Sequence, residues 1–254
     1  MAILDSKLIK VALIGCGRIS KNHTKSILLF PELCELRAIC DCDPKRIDEA
    51  KLLIDDHIKN NSKTFEQIKE YKLEDELFDD INNKKINIDL VVLATPSGLH
   101  SRQVISAAKA GVNVCTEKPM ATKWEDGLKM LEACKKNKVK LFVVKQNRFN
   151  KTIDLVRQQI LNGRFGKIGL VTVNVFWQRP QSYYDQDDWR GTLELDGGAL
   201  MNQASHYVDL LEWMIGPVES INASIATIAR DIEAEDTAAM KIKWKNGALG
   251  TMSV

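Results

Sequence analysis

The chain has 254 residues, with 36 Lys and Arg against 34 Asp and Glu, a net charge of +2 and 44% hydrophobic residues. That length suits one large domain or two modest ones, with an ordinary globular composition. The near-balance of charge argues against a nucleic-acid partner, which favours a concentrated basic face, and no run reaches the roughly 18 apolar residues of a membrane span.

The N-terminus lacks the charged, apolar and small-residue order of a secretory signal, so the expected location is the cytoplasm. Cys16, Cys34, Cys40, Cys42, Cys115 and Cys134 form no C-x-x-C pair, which predicts reduced thiols. His23, His57, His100 and His206 show no ligand spacing with them, so no metal site is expected.

Leu8 to Ile14 is a short run rich in branched apolar residues, which predicts a buried strand. "GCGRISKNH" then opens a helix reaching about Phe30. "CELRAICD" predicts a strand ending on Asp41, and Pro44 opens a helix where its missing N–H costs nothing. Residues 60–88, polar and rich in Lys, Glu and Asp, predict a surface helical stretch. "IDLVVLATP" is a strand, "HSRQVISAAKAG" a helix closed by Gly111, "VNVCTEKP" a strand, "WEDGLKMLEACKKNK" a helix and "VKLFVVKQ" a strand. Strands alternating with helices predict a parallel sheet wound on both faces.

After about Phe149 the rhythm changes. A helix ends near Gly163, and "GLVTVNVFWQ" is a strand with no crossover helix after it. The irregular "RPQSYYDQDDWRGTLELDGG" leads into the helix "ALMNQASHYVDLLEWMIG", followed by strands in "SINASIATIA", "DTAAMKIKWKNG" and "ALGTMSV". The expected architecture is α/β: an N-terminal Rossmann doubly wound domain over 1–148, then an α+β domain with a largely antiparallel open sheet over 149–254. Because the last segment reads as a strand needing further partners, the second domain is expected to continue past Val254.

Gly15-Cys16-Gly17-Arg18-Ile19-Ser20 is a G-x-G-x-x-S turn between a strand and a helix. The first glycine permits the turn, the second admits a pyrophosphate, and the helix N–H groups at Arg18 and Ile19 favour its charge. An acidic residue at the end of the next strand, Asp41, makes this a dinucleotide fingerprint rather than a bare glycine turn. Asp41 suits the ribose hydroxyls and repels a 2′-phosphate, which predicts NAD over NADP; Lys45 and Arg46 soften that preference. Asp43 can cap the helix that follows.

Thr95, Pro96, Ser97 and His100 fall at the carboxyl edge of a third parallel strand, where ligands bind such sheets. His100 reads equally as a surface residue on its helix. Glu117 and Lys118 fall at the same edge, with Pro119 restricting the Lys118 backbone to extended conformations. A lysine beside an oxidised nicotinamide, in a partly dry cleft, is disfavoured in its charged form and can take a hydroxyl proton. Alone, it reads as a surface lysine. Gln146 closes the last strand of the alternating half and is a further candidate for the cofactor.

In "NQASHYVDLLEW", Asn202, His206, Asp209 and Trp213 fall on one helix face. Asp209 is placed to hold one nitrogen of His206, leaving the other for a hydroxyl proton. The plainer alternative is a core histidine satisfied by an aspartate.

"VALIGCGRISKNH", "TPSGLH", "TEKPMAT", "VTVNVFWQRPQSYYD" and "DGGALMNQASHYVDLLEWMIGPVES" resemble the glucose-fructose oxidoreductase/inositol dehydrogenase/rhizopine catabolism (Gfo/Idh/MocA) family. Within it they look like the UDP-N-acetylglucosaminuronic acid 3-dehydrogenases of bacterial surface-polysaccharide (O-antigen, lipopolysaccharide) synthesis. The resemblance implies NAD-dependent oxidation of a sugar-nucleotide C3 hydroxyl, a downstream aminotransferase, and a homo-oligomer, dimer or tetramer, built through the C-terminal sheet. It places the motif lysine on Lys118 and the helix histidine on His206. Many relatives carry an aspartate where this chain has Asn202; an amide relays no proton, so acid–base work falls to Lys118 and His206, and Asn202 positions the substrate. The resemblance also suggests Arg179 and Arg148 for the uronate carboxylate, and Trp189 and Arg190 near the nicotinamide. The alternatives are a sister enzyme for a free sugar or inositol, and a non-catalytic NAD-binding sensor.

Overall fold

The structure, a computed structural model, describes residues 8–61 and 67–254. The chain divides into two compact units, Met1–Val143 and Val144–Val254.

The first unit runs β1 (Ile9–Ile14), α1 (Ser20–Leu29), β2 (Cys34–Cys40), α2 (Pro44–Asn61), β3 (Lys69–Tyr71), α3 (Glu74–Asn82), β4 (Leu90–Leu93), α4 (His100–Lys109), β5 (Asn113–Thr116), α5 (Trp124–Lys136) and β6 (Leu141–Val143). Its strands lie in the order β3-β2-β1-β4-β5-β6, and every pairing is parallel. The chain works outward from β1 to β3, then restarts on the other side at β4. That reversal leaves a crevice at the carboxyl ends of β1 and β4.

Strand β1 shows why the sheet is covered on both sides. Ala12 and Ile14 pack with Leu77, Phe78, Val104, Ala107 and Met130, from α3, α4 and α5. Val11 and Leu13 face the other way, onto Ile27, Leu28, Ile47 and Ile54 of α1 and α2. Alternate residues therefore bury on opposite faces, and each large side chain so enclosed contributes about 1.5–3 kcal/mol.

Residues 60–88 do not form one helical stretch. Helix α2 extends through Asn61, residues 62–66 lie outside the described residues, and β3 adds an edge strand before α3. Only Tyr71 of that strand is buried, while Lys69 and Glu70 are exposed. A three-residue edge with one inward side chain offers no apolar run to a pattern reading.

The second unit contains α6 (Lys151–Leu161), β7 (Leu170–Asn174), α7 (Gln181–Tyr184), a π-helical turn at Ala199–Gln203, α8 (Ser205–Ile215), β8 (Val218–Ala226), β9 (Thr237–Trp244) and β10 (Leu249–Ser253). Its sheet has the order β7-β10-β9-β8; β10 runs parallel to β7, and the other two pairings are antiparallel. Val171, Ile242, Trp244 and Met252 pack on Ala204 and Leu211 of the helical layer. Thr172, Lys241, Lys243 and Thr251 on the alternate face are exposed. The helix expected over 199–216 is interrupted: the Ala204 N–H reaches back five residues to the Ala199 carbonyl at 2.8 Å, and α8 starts only at Ser205. Among the described residues, no helix is long and apolar enough to cross a membrane.

Candidate active site

At the end of β1 the chain turns on Gly15, with φ +91°, and a Cβ there would lie 2.7 Å from the backbone of Ala94. Both the left-handed backbone and the close approach require glycine. The turn is tied to β2 by the Gly15 N–H donating to the Cys40 carbonyl at 2.8 Å. At Gly17 a Cβ would meet one atom, Arg46 Nη1, at 3.7 Å, so the outer side of the turn is open. Arg18 and Ile19 are exposed. Ser20 is buried, its Oγ donating to the Gly17 carbonyl at 2.5 Å. No side chain caps the first turn of α1 among the described residues. Open glycine, uncapped N–H groups and the positive end of the helix together fit a pyrophosphate.

Asp41 is buried behind this turn. Its Oδ2 accepts the Cys16 N–H at 2.7 Å and its Oδ1 accepts the Asp43 N–H at 2.9 Å. A carboxylate oxygen has two acceptor sites, so each keeps one for a diol. Asp43 caps α2 separately, accepting the Lys45 N–H at 2.9 Å. Burial and the neighbouring Asp41 push the Cys16 thiol up to about 12, so it stays neutral.

The carboxyl ends of β4 and β5 carry the next group. Thr95 Oγ1 donates to Gln103 Oε1 at 2.6 Å, and Ser97 beyond Pro96 is buried. His100 is neither a surface residue nor a nitrogen on offer to a cofactor. It is fully buried, with Nδ1 2.9 Å from the Pro119 carbonyl and Nε2 3.1 Å from the Thr95 carbonyl. Burial holds its pKa below 6.5 against the pull of those carbonyls. Its position at a strand end looked exposed in the sequence, but the loop of the next strand closes over it.

Lys118 is half-buried and joined to Pro119 by a cis peptide bond. Its N–H donates to Glu117 Oε2 at 3.1 Å, and Glu117 Oε1 lies 2.8 Å from His23 Nε2. Burial pushes the Glu117 carboxyl up, but the His23 contact and the Lys118 N–H outweigh it, leaving it below its ordinary value. Sequence reasoning weighed His23 only as a metal ligand. The signal for its contact, a histidine in the first turn after the glycines, acquires meaning only once α1 faces the end of β5.

In the second unit, Asn202 lies in the π-helical turn and His206 at the start of α8, the latter buried. The Asn202 amide donates to the fully buried Asp196, whose other oxygen accepts the Gly191 N–H at 2.8 Å. Asp196 went unnoticed in the sequence, where it reads as part of an irregular loop. Gly198, with φ +83°, leaves no room for a Cβ against the Glu235 carboxylate, which accepts the Leu200 N–H at 2.9 Å.

Arg148 already holds a carboxylate, contrary to its expected role toward a substrate. Its Nε and Nη2 bind the two oxygens of Asp209 at 2.8 and 2.6 Å, and the guanidinium lies 5.5 Å from the Trp213 ring centroid. The fork geometry is bidentate, and Asp209, expected beside His206, has both oxygens engaged by it. Arg179 is stacked 4.2 Å over Trp177 and borders a cavity of about 320 Å³ with Tyr184, Gln203 and Arg230. Arg190 is held by Asp187 at 2.8 Å and stacks on Trp189 and Tyr183. Gln146 is exposed in a short 3-10 turn.

Residues 9–145 match the oxidoreductase family described as an NAD-binding Rossmann fold, and residues 153–254 match the GFO/IDH/MocA C-terminal domain. The chain is 49% identical to the WlbA dehydrogenase of Bordetella pertussis, solved in complex with NADH and UDP-GlcNAcA, with a TM-score of 0.89 over 98% of this chain and 71% of that one. It is 48% identical to the WlbA dehydrogenase of Chromobacterium violaceum, solved with the same two molecules, with a TM-score of 0.88 over 99% of this chain and 68% of that one. A myo-inositol 2-dehydrogenase of Thermotoga maritima is 26% identical over 96% of this chain and 67% of its own length. This chain thus spans about two thirds to seven tenths of these proteins. With both units matched, the chain belongs to the Gfo/Idh/MocA oxidoreductase family, and its first unit is that family's NAD-binding Rossmann fold.

Proposed function

We propose that this oxidoreductase removes the C3 hydrogen and hydroxyl proton of UDP-N-acetylglucosaminuronic acid, giving the 3-keto sugar nucleotide. The carrying observation is the identity of 48–49% over nearly the whole chain to two dehydrogenases solved with NADH and UDP-GlcNAcA, against 26% to an inositol dehydrogenase. NAD, when bound, would supply the hydride acceptor. Gly15, Gly17, Arg18 and Ile19 seat its pyrophosphate, Asp41 accepts its ribose hydroxyls, and Thr95, Pro96, Ser97, Glu117 and Lys118 border its nicotinamide half. Gln146, Trp189 and Arg190 belong to the same assignment.

Lys118 and His206 carry the acid–base work: as the hydride leaves C3, the hydroxyl proton passes to one of these nitrogens. Asn202, held by Asp196, donates to or accepts from the sugar without relaying a proton. Arg179, backed by Trp177, is the guanidinium assigned to the uronate, since Arg148 is engaged by Asp209. A 3-ketone is a substrate that an aminotransferase can take, and on this reading the reaction precedes a 3-amination in surface-polysaccharide synthesis in the cytoplasm. A homo-oligomer formed through the second unit's sheet, as the family resemblance implies, completes the reading.

The test is NADH formation from UDP-N-acetylglucosaminuronic acid, with UDP-N-acetylglucosamine as control and an aminotransferase added to draw off the ketone. Turnover with the uronate alone is expected. Equal turnover with both, or turnover with myo-inositol instead, overturns the assignment.

A further inference from the structure

The Lys118 loop is held from two sides by two histidines. His100, on α4, contacts the carbonyls of Pro119 and Thr95 at 2.9 and 3.1 Å. His23, on α1, contacts Glu117 Oε1 at 2.8 Å, and the other oxygen of that carboxylate accepts the Lys118 N–H at 3.1 Å. The Glu117 N–H in turn donates to the Leu93 carbonyl of β4 at 3.0 Å. A continuous polar line therefore runs from the helix that opens at the glycine turn to the peptide of Lys118. Its members are 94 residues apart in sequence and largely buried, with 18% and 9% of the His23 and Glu117 side chains exposed.

Stability alone is a weak reason for such a pair. Desolvation of a buried imidazole and carboxylate offsets much of their attraction, and an apolar pair of similar volume serves as well to pack a helix on a loop. A carboxylate adds direction. Each oxygen has an assigned donor, so the plane of the group is set, and with it the peptide that donates to it. Glu117 keeps its ionised form favoured in spite of burial, so the acceptor on both sides is a full charge.

We propose that His23 is a positioning residue for Lys118: acting through the Glu117 carboxylate, it fixes the Lys118 peptide against the helix that opens the dinucleotide seat. This inference rests on the reading of Lys118 as an acid–base group. A small misplacement of such a group costs up to about 100-fold in rate without a matching loss of binding.

The test uses the whole protein and the variants His23→Ala, His23→Asn and His23→Gln. Of the two amides, Gln reaches Glu117 and Asn is too short. Each is assayed for kcat and KM on UDP-N-acetylglucosaminuronic acid, for NAD affinity by titration, and for the NMR position of Lys118 after reductive 13C-methylation, assigned with Lys118→Arg. His23→Ala and His23→Asn are expected to lower kcat about 10- to 100-fold, with KM and NAD affinity within about threefold of the parent. Both are expected to shift the Lys118 resonance, and His23→Gln to restore most of the rate and the parent resonance. Unchanged kcat in His23→Ala, equal defects in Asn and Gln, or NAD affinity falling in step with kcat overturns the proposal. If His23→Ala does not melt cooperatively, the Asn and Gln variants decide. If the parent shows no turnover, the proposed reaction fails, and the resonance comparison still decides the role of His23.

Discussion

Asp41 in the first unit and Asp209 in the second are both largely buried, and each receives two hydrogen bonds, one on each oxygen. The donors differ in kind. Asp41 is held by the backbone N–H groups of Cys16 and Asp43, which are neutral, so its charge is left to act on whatever approaches. Asp209 is held by the guanidinium of Arg148, which cancels it. One arrangement presents an anion, and the other builds a rigid strut beside Trp213. Similar burial of the same residue type thus says little about function until the donor is known.

The largest expected effects set one residue of each unit side by side. Lys118→Met and His206→Asn are each expected to lower turnover by about 10²- to 10⁴-fold while NAD still raises the thermal midpoint. Loss of the NAD-induced shift in both variants would remove their assigned roles. Next, Gly15→Ala places a Cβ 2.7 Å from the Ala94 backbone at a positive φ. It is expected to cost about 1–3 kcal/mol and abolish the NAD shift, read by denaturant melts with and without NAD.

Arg148→Ala is the matching break in the second unit. Asp209 keeps Lys145 at 3.7 Å, so the loss is expected to be about 1–2 kcal/mol by denaturant melt, with Arg148→Lys recovering little because the fork is gone. If Arg148→Ala leaves stability intact and raises KM for the uronate, the arginine serves the substrate after all.

Much of the first unit is legible in the sequence because its site is made from local backbone features. The Gly15 turn, the Asp41 strand end and the Asp43 cap with Pro44 each show as a short run of consecutive residues, although the Asp41 carboxylate reaches Cys16, 25 residues away. The second unit is less so. The pairing of Arg148 with Asp209 spans 61 residues, and no pattern of charges in either segment announces it. Asp196 hides in a loop, and the widened turn at Ala199–Gln203 carries an ordinary helical sequence. His23 and Glu117 are the first unit's own example of this limit: a side chain recognised by another side chain has no period to read.

That exception has its own, smaller test. The Glu117 carboxyl lies below its ordinary 4.5 in the folded protein. The unfolded chain therefore binds the proton first as pH falls. The stability Glu117 contributes is complete above that value and is lost as pH drops through the folded one. Glu117→Gln is expected to flatten the acid limb of a plot of melting midpoint against pH, and an unchanged limb would remove the charge from the His23 contact. Smallest of all, the buried Cys16 thiol, pushed up to about 12, is expected to resist iodoacetamide at neutral pH while exposed Cys42 is alkylated, as read by mass spectrometry of the native protein.

The wide turn at Ala199–Gln203 holds one residue more than an α-helical turn would. Because the turn closes over that extra residue, excising one position there would restore ordinary pitch and leave the segments on either side close to their present angle. Asn202 lies inside the turn, its Asp196 partner upstream and His206 downstream. The extra residue is thus a lodging for one more side chain on an otherwise regular coil, and a single-codon deletion there would remove that place while α8 keeps its phase.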